Sequence, residues 1–139
     1  MDATKQPGII CKGILLKACR FEREPEVAPQ PIIVPEFKYG YGLTEDGREV
    51  HCRLEAWIHY KDGSSEKHLA SIYVDYMGLF EQASGQENLS LEDFARQSGA
   101  GIIFPFVRQK VYDLSMSAAI QPVLLPPVNL RAMLKYDDN

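Results

Sequence analysis

The residues able to do chemistry are few, and their spacing does not gather them. Three histidines, His51, His59 and His68, and three cysteines, Cys11, Cys19 and Cys52, hold the metal-ligating and nucleophilic potential of the chain. His51 and His59 stand eight residues apart on one face of an alternating run. In a strand that separation exceeds roughly 25 Å, too far for a shared metal. His68 can approach His59 only across a strand pair, and solvated strand histidines are the simpler reading. The cysteines are odd in number, form no CxxC pair and sit among strand formers, so they read as buried thiols acting as small hydrophobes. No nucleophile elbow, Walker loop or zinc-protease motif occurs. Gly40-Tyr41-Gly42 is too short for a phosphate loop, and Glu22, Glu24 and Glu26 read as a solvated edge. The expectation is a non-enzyme with no catalytic residue, no metal and no cofactor.

What stands out is apolar side chains where regular structure is disfavoured. Residues 24–37 carry Pro25, Pro29, Pro31 and Pro35 among Val27, Ile32, Ile33, Val34 and Phe37. Residues 120–128 carry Pro122, Pro126 and Pro127 around Val123, Leu124 and Leu125. Proline removes backbone donors and fixes φ, so both stretches read as stiff loops outside regular elements. Loops this apolar either fold down as satellite core or wall a groove for extended apolar chain. Composition leaves both readings open.

The elements that must position these loops are legible. The chain has 139 residues, 45% hydrophobic and 24% charged, which suits one globular domain over 1–139, with 1–8 and 136–139 as flexible ends. A net charge of −4 argues against sequence-independent nucleic-acid binding. No apolar run approaches the roughly 20 residues of a membrane helix, and Met1–Gly8 lacks a signal-peptide core, so a cytoplasmic protein is expected. Residues 9–23 read as a strand with Cys11, Leu15, Cys19 and Phe21 on one face and Ile10, Ile14, Leu16 and Ala18 on the other. Residues 48–60 alternate cleanly: Val50, Cys52, Leu54, Ala56, Ile58 and Tyr60 point one way, while His51, Arg53, Glu55, Trp57 and His59 point the other. Asp62-Gly63 predicts a hairpin turn, and 66–80 the returning strand. Both faces of that strand are apolar, which leaves Ile72, Val74 and Tyr76 needing a cover, most simply a second copy. Ser90 caps a helix that Pro105 breaks, with Ile103, Val107, Val111, Leu114 and Ala118 as its inward stripe. Asn129 caps a last short helix bearing Leu130, Met133 and Leu134. The fold class is α+β: an antiparallel sheet with helices on one face.

Two stretches carry a family resemblance. Gly101-Ile102-Ile103-Phe104-Pro105-Phe106-Val107-Arg108 resembles the Leu-Phe-Pro-Tyr-Ala-Arg-Glu segment of SecB export chaperones. Leu124-Leu125-Pro126-Pro127-Val128-Asn129-Leu130 is similar to their Leu-Ala-Pro-Val-Asn-Phe segment, in the same order and spacing. Lys17-Ala18-Cys19-Arg20-Phe21-Glu22 is a weaker match to a strand of the family. The resemblance runs from about residue 10 to 135. It implies a four-stranded antiparallel sheet with a further strand near Phe37–Leu43, a crossover loop, a long helix and a short one. It also implies a homotetramer, a dimer of dimers, that holds unfolded clients without ATP. Carried over by position, Ile32, Val34, Phe37 and Tyr39 face Leu124, Leu125, Val128 and Met133 across the client groove, and Ile72, Val74 and Tyr76 pack between dimers. On that reading Phe37→Asp or Leu125→Asp weakens client binding but not folding, and Val74→Arg splits the tetramer. The sequence ends at Lys135-Tyr136-Asp137-Asp138-Asn139 without the basic metal-binding tail of members that deliver preproteins to SecA. Ala18 and Tyr73 stand where the family often has acidic residues. The resemblance therefore implies holding of clients, for export or, as in solitary SecB-like chaperones, for one antitoxin, and leaves coupling to SecA unsupported.

Overall fold

The computed structural model describes residues 8–26, 30–83 and 90–125, together with the backbone of 135–136. The strands are β1 (Ile9–Arg23), β2 (Ile32–Leu43), β3 (Glu49–Lys61), β4 (His68–Gln82) and a short β5 (Lys135–Tyr136). They order as β1-β4-β3-β2-β5; β1 to β4 pair antiparallel, and β5 runs parallel to β2. Helix α1 (Leu91–Phe94), a π turn (Ala95–Gly99) and α2 (Ala100–Ser117) follow without interruption and cover one face. This is the α+β arrangement expected from strands first and helices after. The expected short helix from Asn129 lies outside the described residues, as do 1–7 and 137–139.

The alternation of β3 fixes the two faces. Val50, Cys52, Leu54, Ala56, Ile58 and Tyr60 are all fully buried. Their partners on β4 include Phe80 opposite Val50, Tyr76 opposite Leu54, Val74 opposite Ala56 and Ile72 opposite Ile58. Directly paired residues share a face, so Ile72, Val74 and Tyr76 lie on the helix side. Phe80 meets Phe94 edge-on at 5.0 Å, and Tyr76 meets Phe106 at 6.2 Å. This corrects the reading of Ile72, Val74 and Tyr76 as the uncovered face: α2 of the same chain covers them. A charge at Val74 would sit under the helix and unfold the protomer rather than split an assembly.

Three further expectations are corrected. Residues 32–37 are not loop but the first half of β2, where Pro35 pairs with Ile58 of β3; among the described residues the other side of β2 is paired only at Lys38 and Tyr39, so Pro35 sits where a missing N–H is tolerated. In β1, register shifts at Cys11/Gly13 and Leu16/Ala18 break simple alternation. As a result Cys11, Ile14, Leu16, Cys19 and Phe21 share the helix side, while Ile10, Leu15, Ala18 and Arg20 face away. Finally, α2 continues through Pro105. The carbonyl that loses its partner to Pro105 belongs to Gly101, which is exposed and reachable by water. The β3–β4 hairpin is present, but Asp62 organises its turn by accepting from the Ser64 amide at 3.0 Å, and Glu66 supplies the positive φ.

The helix approaches the sheet at Gly99. A Cβ there would stand 2.1 Å from the Tyr39 hydroxyl oxygen and 3.0 Å from Cys52 Sγ. The missing side chain lets Tyr39 donate to the Ala95 carbonyl at 2.5 Å. Gly99→Ala is expected to lower the unfolding free energy by about 1–3 kcal/mol in urea titration, by overpacking. Tyr39→Phe alone should cost about 1 kcal/mol. Because the colliding oxygen is then gone, the double variant should lose less than the two single losses added together. Strict additivity would show that the two groups do not meet.

Candidate functional site

The predicted groove residues do not form one wall. Ile32 and Val34 pair with Lys61 and His59 on the open side of the sheet; Phe37 and Tyr39 pair with Ala56 and Leu54 on the helix side. Phe37 is only 4% exposed and packs edge-on against Phe104 at 6.0 Å. Tyr39 is fully buried. On the second stretch Leu124 is 61% exposed but Leu125 only 5%. Val128 and Met133 lie outside the described residues. Phe37, Tyr39 and Leu125 are thus core residues of the protomer, and of the two proline-rich stretches Phe37 and Leu125 fit the satellite-core reading. Ile32 and Leu124 remain large apolar side chains open to solvent.

The 120–125 stretch is fixed from below. Its descent starts at Ala119, whose positive φ of 54° ends α2. Arg23 Nη1 donates to the Ala118 carbonyl at 2.6 Å, tying the helix end to β1. Tyr60 donates to the Gln121 carbonyl at 2.7 Å, and the Val123 amide donates to Ser115 Oγ at 3.1 Å. Ile120, Val123 and Leu125 point inward, while Gln121, Pro122 and Leu124 point outward. Tyr60 pairs with Ile33 at the start of β2, so this stretch rests at the end of the sheet where Ile32 is exposed.

The open face carries a polar and aromatic cluster to which sequence reasoning gave no role. Arg53 grips Asp75 through Nε at 3.0 Å and Nη2 at 2.8 Å, and its Nη2 also reaches Glu55 at 3.3 Å. Tyr73 donates to Glu55 at 2.5 Å, stacks obliquely on Trp57 at 5.4 Å and lies under the Arg20 guanidinium at 4.8 Å. The hydrogen bond to Asp75 holds the Arg53 guanidinium more firmly charged. Burial, followed by the bond to Glu55, pushes the Tyr73 hydroxyl up to about 12. The available signal was the outward row Arg53, Glu55 and Trp57 set across the hairpin from Tyr73 and Asp75. His59 does come near His68, with ring centroids 6.1 Å apart, and lies 3.7 Å from Glu36. Among the described residues no group of three or more such side chains is placed to hold a metal ion.

The cysteines divide by burial. Cys52 is buried, whereas Cys11 and Cys19 are exposed, which corrects the reading of all three as buried thiols. Desolvation pushes the Cys52 thiol up from 9.0 to about 11.

Against this fold, the comparisons with known proteins become specific. Residues 20–138 match the family model of the preprotein translocase subunit SecB. The chain belongs to the SecB family. Its fold is similar to that of the Mycobacterium tuberculosis SecB-like chaperone Rv1957, whose structure holds a ChAD peptide from the HigA1 antitoxin. The TM-score is 0.74 at 16% sequence identity, and the match covers 88% of this chain and 91% of that one. Over 61 residues the chain is also 33% identical to an uncharacterised protein of Methanocaldococcus jannaschii, a match covering 44% of this chain and 39% of that relative. No helix among the described residues is long and apolar enough to cross a membrane.

A thiol reagent at neutral pH should modify Cys11 and Cys19 quickly in the native protein and Cys52 only after denaturant is added; rapid reaction of all three would contradict the packing around Cys52. Below about pH 9 the Cys52 thiol is neutral in both folded and unfolded chains, and between 9 and about 11 only the unfolded chain ionises. Its contribution to stability is therefore intact below pH 9 and lost as pH rises through that window. Cys52→Ala should flatten the slope of stability between about pH 9 and 10, measured by urea titration.

Proposed function

We propose that this chain is an ATP-independent holdase that binds unfolded or extended apolar polypeptide segments in the cytoplasm. Membership of the SecB family supports the class, and the observation that carries the site is Leu124, exposed beside the buried Leu125 at the end of the sheet where Ile32 is also open. A stretch pinned through Ala118, Gln121 and Val123 but presenting an aliphatic side chain outward offers client contact without unfolding. The reading is binding rather than catalysis, in keeping with the SecB family. Service to one antitoxin is a second reading, favoured by the antitoxin peptide held in the similar Mycobacterium tuberculosis structure. Competition separates the two: a general holdase releases its client to unrelated unfolded chains, and a dedicated one does not.

The same proposal includes a homotetramer built as a dimer of dimers. With Ile72, Val74 and Tyr76 inside the protomer, the β1 edge is the better-supported contact. Ile10, Leu15 and Leu16 are all exposed along it, and Phe106 stands exposed beside Tyr76, the partner of Leu16. A long apolar strand edge with no partner strand among the described residues is what a second copy covers.

Two results would decide these points. Leu124→Asp should weaken retention of an unfolded client roughly tenfold, the worth of one lost aliphatic contact, while leaving the melting temperature nearly unchanged. Leu125→Asp should instead unfold the chain, and wild-type client binding by folded Leu124→Asp would sink the assignment. Leu15→Arg should lower the assembly mass in light scattering with the far-UV circular dichroism preserved; an unchanged mass would move the contact elsewhere.

A further inference from the structure

Among the described residues β1 has β4 on one side and no strand on the other. Its two bulges give it an order that reads alike in both directions about Leu15. On the helix side stand Ile9, Cys11, Ile14, Leu16, Cys19 and Phe21, judged by their partners on β4. Laid antiparallel on a second β1 with Leu15 opposite Leu15, Ile14 meets Leu16, Cys11 meets Cys19 and Ile9 meets Phe21. Every pair shares a face, as antiparallel pairing requires. The two residues between Cys11 and Ile14 meet the two between Leu16 and Cys19, so the bulges oppose each other and the strands stay matched in length. Lys12 meets Ala18, Lys17 meets Gly13 and Arg20 meets Ile10, so no like charges are opposed.

We propose that Cys11 of one copy and Cys19 of the other are an oxidisable pair, forming two symmetric intermolecular disulfides across this edge. The proposal rests on the assembly reading above and adds the register and the chemistry. Residues directly opposed in an antiparallel pair have Cα atoms about 4.5–5.5 Å apart, inside the disulfide range of about 4.4–6.8 Å. Both thiols are exposed, while Cys52 is buried away from the edge. Closure within one chain is impossible, since eight residue steps along the strand separate the two by roughly 26 Å. The oxidant is a small-molecule disulfide such as oxidised glutathione. One protein thiolate attacks it, forming a mixed disulfide and releasing one small thiol. The facing protein thiolate then displaces the second, so two protein thiols become one S–S bond and one small disulfide becomes two thiols. The result is a dimer fixed covalently under oxidising conditions and released by reductant.

The test uses the full chain treated with oxidised glutathione and read by non-reducing electrophoresis and by mass spectrometry of linked peptides. The expected product is a covalent dimer of twice 15.7 kDa joining the Cys11 peptide to the Cys19 peptide. Cys11→Ser and Cys19→Ser should each abolish it. The two variants unfolded and refolded together should restore it, because each mixed pair brings Cys19 of one chain opposite Cys11 of the other. Links joining Cys11 to Cys11 or Cys19 to Cys19, or a dimer persisting in either single variant, would overturn the register. Light scattering in reductant separates the two layers. A monomer there overturns the assembly and this proposal together, whereas an intact assembly that never cross-links overturns the disulfide alone.

Discussion

The Tyr39 hydroxyl reaching the Ala95 carbonyl is the contact on which the placement of the helix depends. It needs three things at once: a tyrosine on the buried side of β2, a widened turn in the helix and no side chain at Gly99. Met together, they bring the helix down on Cys52 and bury Phe37 against Phe104. Farther along, Gly78 leaves room first for the Phe80 ring and then for Ile103, since a Cβ there would lie 2.7 Å from Phe80 Cε2 and 3.1 Å from the Ile103 methyl. The helix is thus seated on β2 and β3 through one glycine of its own and on β4 through one glycine of the sheet. Both are places where packing tolerates no added atom.

That seating divides the molecule into regions with different freedom. Over β2, β3 and β4 the helix side is covered by residues of the same protomer, while large apolar side chains stay open along the β1 edge and at the end of the sheet near Ile32 and Leu124, the two places proposed to meet other chains. The open face is differently made. Its Arg53–Asp75 pair and the Tyr73–Glu55 bond tie neighbouring strands together, and Trp57 and Arg20 extend the cluster sideways. Asp75 is buried yet gripped by two Arg53 nitrogens, so its charge is satisfied where an unpaired one would be costly.

Much of this was legible because β3 alternates without a fault, and Ser90 caps the helix as its neighbours predict, accepting from the Asp93 amide at 3.3 Å. The rest was hidden for physical reasons. Pro35 suggested a loop, because sequence does not say that it falls in β2 where, among the described residues, only β3 is paired to it. The bulges of β1 were invisible, since an extra residue changes face assignment without changing composition. Both faces of β4 are apolar, so periodicity could not choose between them. Following the hairpin register would have done so, as Ile72 lies opposite the buried Ile58. The same ambiguity mixed buried with open residues in the candidate site: Phe37 and Leu125 are as apolar as a groove wall needs to be, and only burial separates them from Leu124.

The pairing of β1 with β4 has a kinetic consequence. Ile9 meets Gln82, more than seventy residues further on, whereas β3 and β4 are joined by a short turn. Contacts between distant residues wait on chain closure, so the β3–β4 hairpin can form early, and β1 must be set in place after β4 exists. During synthesis β1 emerges before the other strands and waits for β4. Until then its isoleucines and leucines travel as an unpaired apolar strand. A nascent copy of this chain therefore carries, for a time, the same kind of segment that its finished form is proposed to hold.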